Sequence, residues 1–172
     1  LLPELGGRIY QVIFKPTGSN ELYQNPVIKP SPWGQAGQGG WLAAGGIEWG
    51  LPVAEHGYAW GDRWGHITTP FGPDAAGVTL FMPYEDHLRA EVDVILRAGE
   101  AAFTIQPRIV NPTQEAVSYQ FWLDALLAPG PANQVGPNLR FILPTDQVTV
   151  HSRGDDFLPA PQQAMSWPVF AT

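Results

Sequence analysis

The sequence contains no cysteine, so neither a disulfide framework nor a thiolate metal site can form. Lysine and arginine are also scarce, with nine against sixteen aspartate and glutamate residues and a net charge of −7. Because proteins that bind phosphate backbones need clustered cations, we expect no nucleic-acid partner. Apolar runs are shorter than the ~20 residues that cross a bilayer, and no signal-peptide pattern is present. We expect a soluble protein with no membrane partner, cytoplasmic rather than secreted.

Long uninterrupted helical stretches are missing as well, because eighteen prolines and nineteen glycines are spread along the chain. Hydrophobic residues nevertheless make up 44% of the sequence, which is enough for a packed core. We therefore predict a single all-β domain over residues 1–172.

Alternation of apolar and polar residues is clearest in three successive segments, 88–97, 103–109 and 117–123. We predict that they form an antiparallel meander, with Pro107 placing the middle segment at an edge or at a bulge. One apolar face of such a sheet needs a second layer, so the predicted architecture is an antiparallel β-sandwich. Shorter predictions are strands at 8–14 and 77–81 and turns at 15–18, 98–100 and 111–114.

The segment from Gly45 to Gly65, GGIEWGLPVAEHGYAWGDRWG, combines tryptophans, carboxylates, a histidine and an arginine between glycines. Indole faces stack on sugar rings, while charged side chains can hydrogen-bond sugar hydroxyls. This mixture favours a carbohydrate site, because so many charged groups cannot all be buried unpaired. The residues that we predict to contact the sugar are Glu48, Trp49, Glu55, His56, Arg63 and Trp64, with Trp41 from the preceding loop.

Each of these residues also has a purely structural interpretation. Tryptophans next to glycines commonly fill the core of β-proteins. Glu48 and Glu55 could lie in a solvated loop or pair with Arg63, which could equally pair with Asp62. His56 could be a hydrogen-bonded structural histidine.

Three sequence stretches resemble the galactose mutarotase-like β-supersandwich superfamily, in particular a branch of uncharacterised bacterial domains that begin Pro-Glu-Leu-Gly-Gly-Arg. They are the opening LLPELGGRIYQVIFKPTGSNELYQNP, the GGIEWGLPVAEHG segment and the Asn111-Pro112-Thr113 turn. The resemblance implies a supersandwich fold, with this chain forming all or only the N-terminal part of the domain. It also implies sugar binding and aldose 1-epimerase-like isomerase chemistry, with the GGIEW stretch supplying loop residues near the pocket.

The resemblance extends to individual residue positions. The run from His56 to Ala59 is similar to the His-Gly-Phe-Ala element of mutarotase relatives, whose histidine lies in the sugar pocket, and Trp64 takes the place of an aromatic neighbour. The family's usual catalytic histidine and glutamate are not identifiable, since the corresponding stretch reads Phe121-Trp122-Leu123-Asp124. Enzyme activity is therefore an expectation for a complete parent chain only.

Mutarotation needs one group that takes the proton of the anomeric hydroxyl and another that protonates the ring oxygen. A carboxylate and a histidine suit these tasks. Glu55 and its neighbour His56 point to opposite faces of an extended chain, so Glu48 is the better partner for His56. We therefore predict His56 and Glu48 as the catalytic pair, without a cofactor. We also predict no metal site, because Glu85, Asp86 and His87 are consecutive residues, and consecutive residues seldom converge on one ion.

A different class of function is open. The same aromatic residues and arginine could form a surface for protein-protein contact or for self-association into a homo-oligomer, since both residue types are enriched at interfaces.

Overall fold

The structure, a computed structural model, describes residues 1–29, 43–52, 60–150 and 159–167. The chain divides into two compact units, Leu1–Val135 and Gly136–Thr172. In chain order the strands are β1 (Ile13–Phe14), β2 (Ser19–Asn20), β3 (Gly46–Gly50), β4 (Gly65–Pro70), β5 (Ala75–Phe81), β6 (Arg89–Arg97), β7 (Phe103–Val110), β8 (Trp122–Leu126), β9 (Gln147–Thr149) and β10 (Ala164–Ser166).

Every strand pairing in the described ranges is antiparallel, and these ranges contain no helix. The predicted all-β class is confirmed. It also follows that no described segment provides a helix of the length and apolarity needed to cross a membrane.

The larger sheet of the first unit has the order β4-β5-β6-β7. The antiparallel pairing of β6 with β7 is as predicted, and the alternation along these strands matches their burial: Ala90 and Val92 are buried, while Thr104 and Gln106 are exposed. Pro107 lies on β7, the last strand of the sheet as described, where its missing amide donor costs no internal pairing. The edge position predicted for this proline is therefore confirmed.

The alternation predicted for 88–97 would place Leu96 on the same buried face as Ala90 and Val92. It fails at the far end of β6, where Ile95 is buried and Leu96 is exposed. Ile95 pairs with Gly77, and the ring of Phe71 occupies the space above that glycine. Apolar side chains such as Phe71 therefore also pack on the outer face of the sheet at this end. The alternation within one strand does not reveal this packing.

The third predicted strand of the meander is wrong in both partner and bounds. Instead of pairing with β7, β8 pairs with β3, and Val117 and Tyr119 lie outside it as exposed residues. The ring of Phe121 stacks on Trp49 of β3, with centroids 6.5 Å apart. A contact made across more than seventy residues therefore decides where this segment lies.

The β3–β8 pair packs against the larger sheet as the second layer of a sandwich. Both layers contribute to one cluster of buried residues, including Ile47, Trp49 and Leu51 from one side and Leu80 and Val92 from the other. The GGIEW stretch, which we expected to supply loop residues, is instead a fully buried strand. Ile9 pairs with Ile47 on the other edge of β3, so β3 lies between two chain segments.

The β1–β2 hairpin confirms the turn predicted at 15–18, because the amide of Gly18 donates to the carbonyl of Phe14 at 2.9 Å. In the second unit, β9 and β10 form a two-stranded pair.

Candidate functional site

A row of three charged side chains crosses the β3–β8 pair. Glu48 and Asp124 are direct cross-strand partners, and Arg8 stands opposite Glu48 on the other side because Ile9 pairs with Ile47. Opposed residues of antiparallel strands point to the same face, with Cβ atoms about 4.5–5.5 Å apart. The fold therefore places one guanidinium and two carboxylates side by side, opposite to the core-facing Trp49.

Arg8 and Glu48 form a buried ion pair between Nη2 and Oε2, and the two residues are 4% and 2% exposed. The second guanidinium nitrogen, Nη1, donates to the carbonyl of Gly45 at 2.7 Å. These contacts satisfy a buried charge that would otherwise be very costly. Glu48 is thus held by its pair with Arg8, a partner forty residues away that our sequence interpretation did not consider.

Glycines flank Glu48 on the same face of β3, at positions 46 and 50. A Cβ on Gly46 would lie 2.6 Å from the carbonyl oxygen of Ile9, and its φ of +86° favours glycine. The indole of Trp122, the cross-strand partner of Gly50, occupies the place that a Cβ on that glycine would take. β3 therefore presents a single side chain, Glu48, to this face, and the half-buried Trp122 forms a wall beside it.

Tyr10 lies two residues after Arg8, and its backbone is next to Gly46. It therefore borders the row on the side opposite to Trp122, which lies next to Gly50. Burial raises the pKa of its phenol, an effect that the nearby charge of Arg8 partly opposes. At neutral pH the phenol is protonated and can both donate and accept a hydrogen bond. We call Tyr10, Arg8, Glu48, Trp122 and Asp124 the polar face of the β3–β8 pair.

Asp124 differs from Glu48 in its surroundings. It is half-buried, and its carboxylate has no hydrogen bond and no ion pair with any residue that the structure describes. The polar face thus combines a carboxylate engaged by arginine with one whose acceptor oxygens are not used by the described protein groups.

The residues predicted from the sequence fall into four groups. Glu48 lies in the polar face. Trp49 and Trp64 are each 1% exposed: Trp49 donates its indole N–H to the carbonyl of Gly7 at 3.1 Å, and the ring of Trp64 lies against Gly7. Arg63 is exposed. Trp41, Glu55 and His56 lie outside the described residues, so the predicted pairing of Glu48 with His56 stays a prediction.

Both anchor points of the segment 53–59, which carries Glu55 and His56, are well fixed. Leu51 is completely buried, and the carbonyl of Pro52 accepts a hydrogen bond from the amide of Gln120 at 2.6 Å. At the other end Trp60 is buried, and a Cβ on Gly6 would collide with its backbone. A connecting segment with ionisable residues, attached to a rigid scaffold at both ends, is a frequent location for binding residues.

A smaller polar cluster follows Trp60. The hydroxyl of Tyr84 donates to Oδ2 of Asp62 at 2.6 Å, and the ring of Tyr84 lies 4.2 Å from that of His87. His87 Nδ1 in turn lies 2.7 Å from Oδ1 of Asp86. In the described part of the chain, no group of three or more histidine, aspartate or glutamate side chains has a metal-binding arrangement.

Sequence reasoning missed Tyr10, Arg8, Trp122 and Asp124 as members of a site. One sequence signal for this face of β3 was available: Gly-Ile-Glu-Trp-Gly places the carboxylate of Glu48 between two glycines on one face of a strand. No local signal identifies Asp124, because its position beside Glu48 depends on the β3–β8 register.

A family model described as a domain of unknown function (DUF5107) matches residues 1–170. No curated protein and no solved structure matches the chain significantly.

Proposed function

Because the chain belongs to the DUF5107 family of domains of unknown function, we propose its function from its own residues. It is a carbohydrate-binding domain of the galactose mutarotase-like type, with aldose 1-epimerase-like activity in a complete parent protein. The sugar binds over the polar face of the β3–β8 pair.

The observation that carries this proposal is the composition of the polar face. Carboxylate oxygens accept hydrogen bonds from hydroxyl groups, the tyrosine hydroxyl can donate or accept, and the indole of Trp122 provides apolar surface. Small-molecule sites typically combine an apolar wall with a few well-placed polar groups. Strands on both sides of Glu48 hold these groups, so little ordering of the backbone is needed when a ligand binds.

His56 and Glu55 belong to the proposal through the sequence. The segment that carries them follows β3 after only two residues, and Glu48 lies on β3 itself. In this arrangement His56 transfers a proton to or from the sugar, and Arg63 donates hydrogen bonds to its hydroxyls. Trp49 and Trp64 support the site from the core, while Trp41 contributes an aromatic contact.

Ligand-observed NMR tests the proposal with a panel of aldoses and uronic acids, because one sample reports saturation transfer and anomeric exchange. We expect transfer from at least one sugar, and a loss of transfer in His56→Ala. The matched control is His66→Ala, which removes an exposed histidine from β4. Equal transfer in both variants would exclude His56 from the site, and absence of transfer from every sugar would refute carbohydrate binding.

A second candidate, a protein-interaction or self-association module, is supported by a different observation. In the second unit, Phe141, Ile142 and Leu143 are consecutive apolar residues that are 50%, 92% and 43% exposed. Consecutive exposed apolar side chains are a common feature of contact surfaces. Sedimentation at several protein concentrations, with Ile142→Asp beside the unmodified protein, tests this candidate: association that the aspartate abolishes supports it, and a monomer at all concentrations counts against self-association.

A further inference from the structure

We infer that Asp124 is the carboxylate that accepts hydrogen bonds from the ligand, and that the ligand is a neutral sugar or polyol with vicinal hydroxyls rather than a uronic acid. This inference rests on the proposed function and assigns the chemistry of its site. It transfers to Asp124 the contact role that the sequence suggested for Glu48.

The two carboxylates differ in their accessibility to a ligand. Glu48 is 2% exposed and paired with Arg8, so a ligand that took its oxygens would have to break a buried ion pair. Removing one partner from such a pair is strongly unfavourable. Asp124 is half-buried, is adjacent in the same row and forms no hydrogen bond or ion pair with the described residues. A ligand hydroxyl can therefore bind Asp124 without displacing an existing contact among them.

The position of Asp124 suits contact with adjacent hydroxyl groups of a sugar ring. An ionised carboxylate has two acceptor oxygens and no donor, so it matches two neighbouring hydroxyl groups of one ring. Asp124 lies on β8 within a paired strand, and Trp122 lies two residues earlier on the same face. Since both side chains project from one rigid strand, a ring that contacts the indole wall can direct adjacent hydroxyls toward Asp124.

The charges of the polar face favour a neutral ligand. The described polar face contains one guanidinium and two carboxylates, and the whole chain has a net charge of −7. Arg8 is already engaged by Glu48 and by the carbonyl of Gly45, so it offers little to a ligand carboxylate. A uronic acid would bring a third carboxylate to this face, and like charges at short distance disfavour binding. Neutral sugars avoid this repulsion.

The test compares Asp124→Asn with Asp93→Asn. Both remove one negative charge from a half-buried strand position, but Asp93 lies on β6, where it accepts a hydrogen bond from Thr79 at 2.5 Å. Saturation-transfer titrations with a neutral aldose and with its uronic acid are recorded for the unmodified protein and for both variants. We expect Asp124→Asn to weaken aldose binding by about tenfold or more, because bonds to ionised acceptors are the strong ones.

We also expect Asp124→Asn to raise uronate binding relative to aldose binding, while Asp93→Asn changes neither. Aldose affinity that is equal in the two variants would overturn the role of Asp124 and leave carbohydrate binding intact. Preferential binding of the uronate by the unmodified protein would overturn the neutral-ligand assignment. Absence of any sugar signal would refute the proposed function, and this inference with it.

A measurement that needs no variant covers the case in which Asp124→Asn does not fold. The unmodified protein is treated with a water-soluble carbodiimide and an amine, and the labelled carboxylates are located by mass spectrometry. We expect labelling of Asp124 and none of Glu48, with Asp124 protected by a saturating neutral aldose. An unreactive Asp124, or one whose labelling the aldose leaves unchanged although it binds, would overturn the inference.

Discussion

The buried Arg8–Glu48 pair makes the most demanding prediction about stability. In Glu48→Ala the guanidinium of Arg8, a residue only 4% exposed, loses its counter-charge, although it keeps the carbonyl of Gly45. Removing one partner of a buried ion pair costs about 3–5 kcal/mol. For a chain of this size each kcal/mol lowers the melting temperature by roughly 2–4 °C, so we expect Glu48→Ala to melt about 6–20 °C lower.

Thermal unfolding followed by tryptophan fluorescence measures this change, because the buried Trp49 is the next residue in β3. The matched control is Glu91→Ala, which removes a carboxylate paired with Arg89 and with the exposed Arg108. We expect that control to melt close to the unmodified protein, since pairs in contact with solvent contribute little. Equal melting temperatures for the two variants would refute the structural importance of the buried pair.

The double variant Arg8→Met, Glu48→Met separates the ion pair from the packing around it. Because apolar replacement of both partners removes the unpaired charge, it should be more stable than either single methionine variant. Strictly additive losses across this double-mutant cycle would show that the two charges do not interact.

Three further predictions concern individual residues. Gly50→Ala should displace the Trp122 indole and destabilise the protein by about 1–3 kcal/mol, the usual cost of overpacking. Gly61→Ala should not, because no atom of the described residues other than its chain neighbours lies within 4 Å of the new Cβ, and equal urea unfolding midpoints for the two variants would contradict this. Because the pKa of Tyr10 is raised in the folded state, its contribution to stability is complete below pH 10.0, the pKa of the phenol in the unfolded chain. This contribution is lost as the pH rises through the folded-state pKa. Unfolding measured on both sides of pH 10.0 should therefore show a loss that Tyr10→Phe reduces, and an identical loss in that variant would exclude Tyr10 as its source. Arg63→Ala should weaken sugar binding without changing the melting temperature, because Arg63 is exposed, and unchanged affinity would remove it from the site.

Strand type and several turns were predictable because they depend on local patterns. Alternation in β6 and β7 and the glycine-containing turns at 15–18 and 98–100 identify these elements from nearest neighbours alone. The destination of β8 was not predictable in this way. Its partner β3 lies more than seventy residues earlier, and the same alternation fits pairing with either β3 or β7.

The candidate site shows the same limit. The sequence indicated Glu48 as a candidate because it is a better partner for His56 than the adjacent Glu55, but its ion-pair partner Arg8 is forty residues away. The flat indole faces expected in a sugar site belong, for Trp49 and Trp64, to side chains that fill the core. Asp124 became a candidate only through cross-strand register, which composition and spacing do not encode.

The measurement that most directly tests the central claim is a backbone and indole NMR titration of the unmodified protein with a neutral aldose. The account predicts that the largest shift changes occur at Glu48, Asp124 and the indole N–H of Trp122, with small changes at Thr79 and Asp93 on the outer face of the larger sheet. Shift changes confined to Phe141–Leu143, or the absence of changes at saturating sugar, would contradict a carbohydrate site on the polar face.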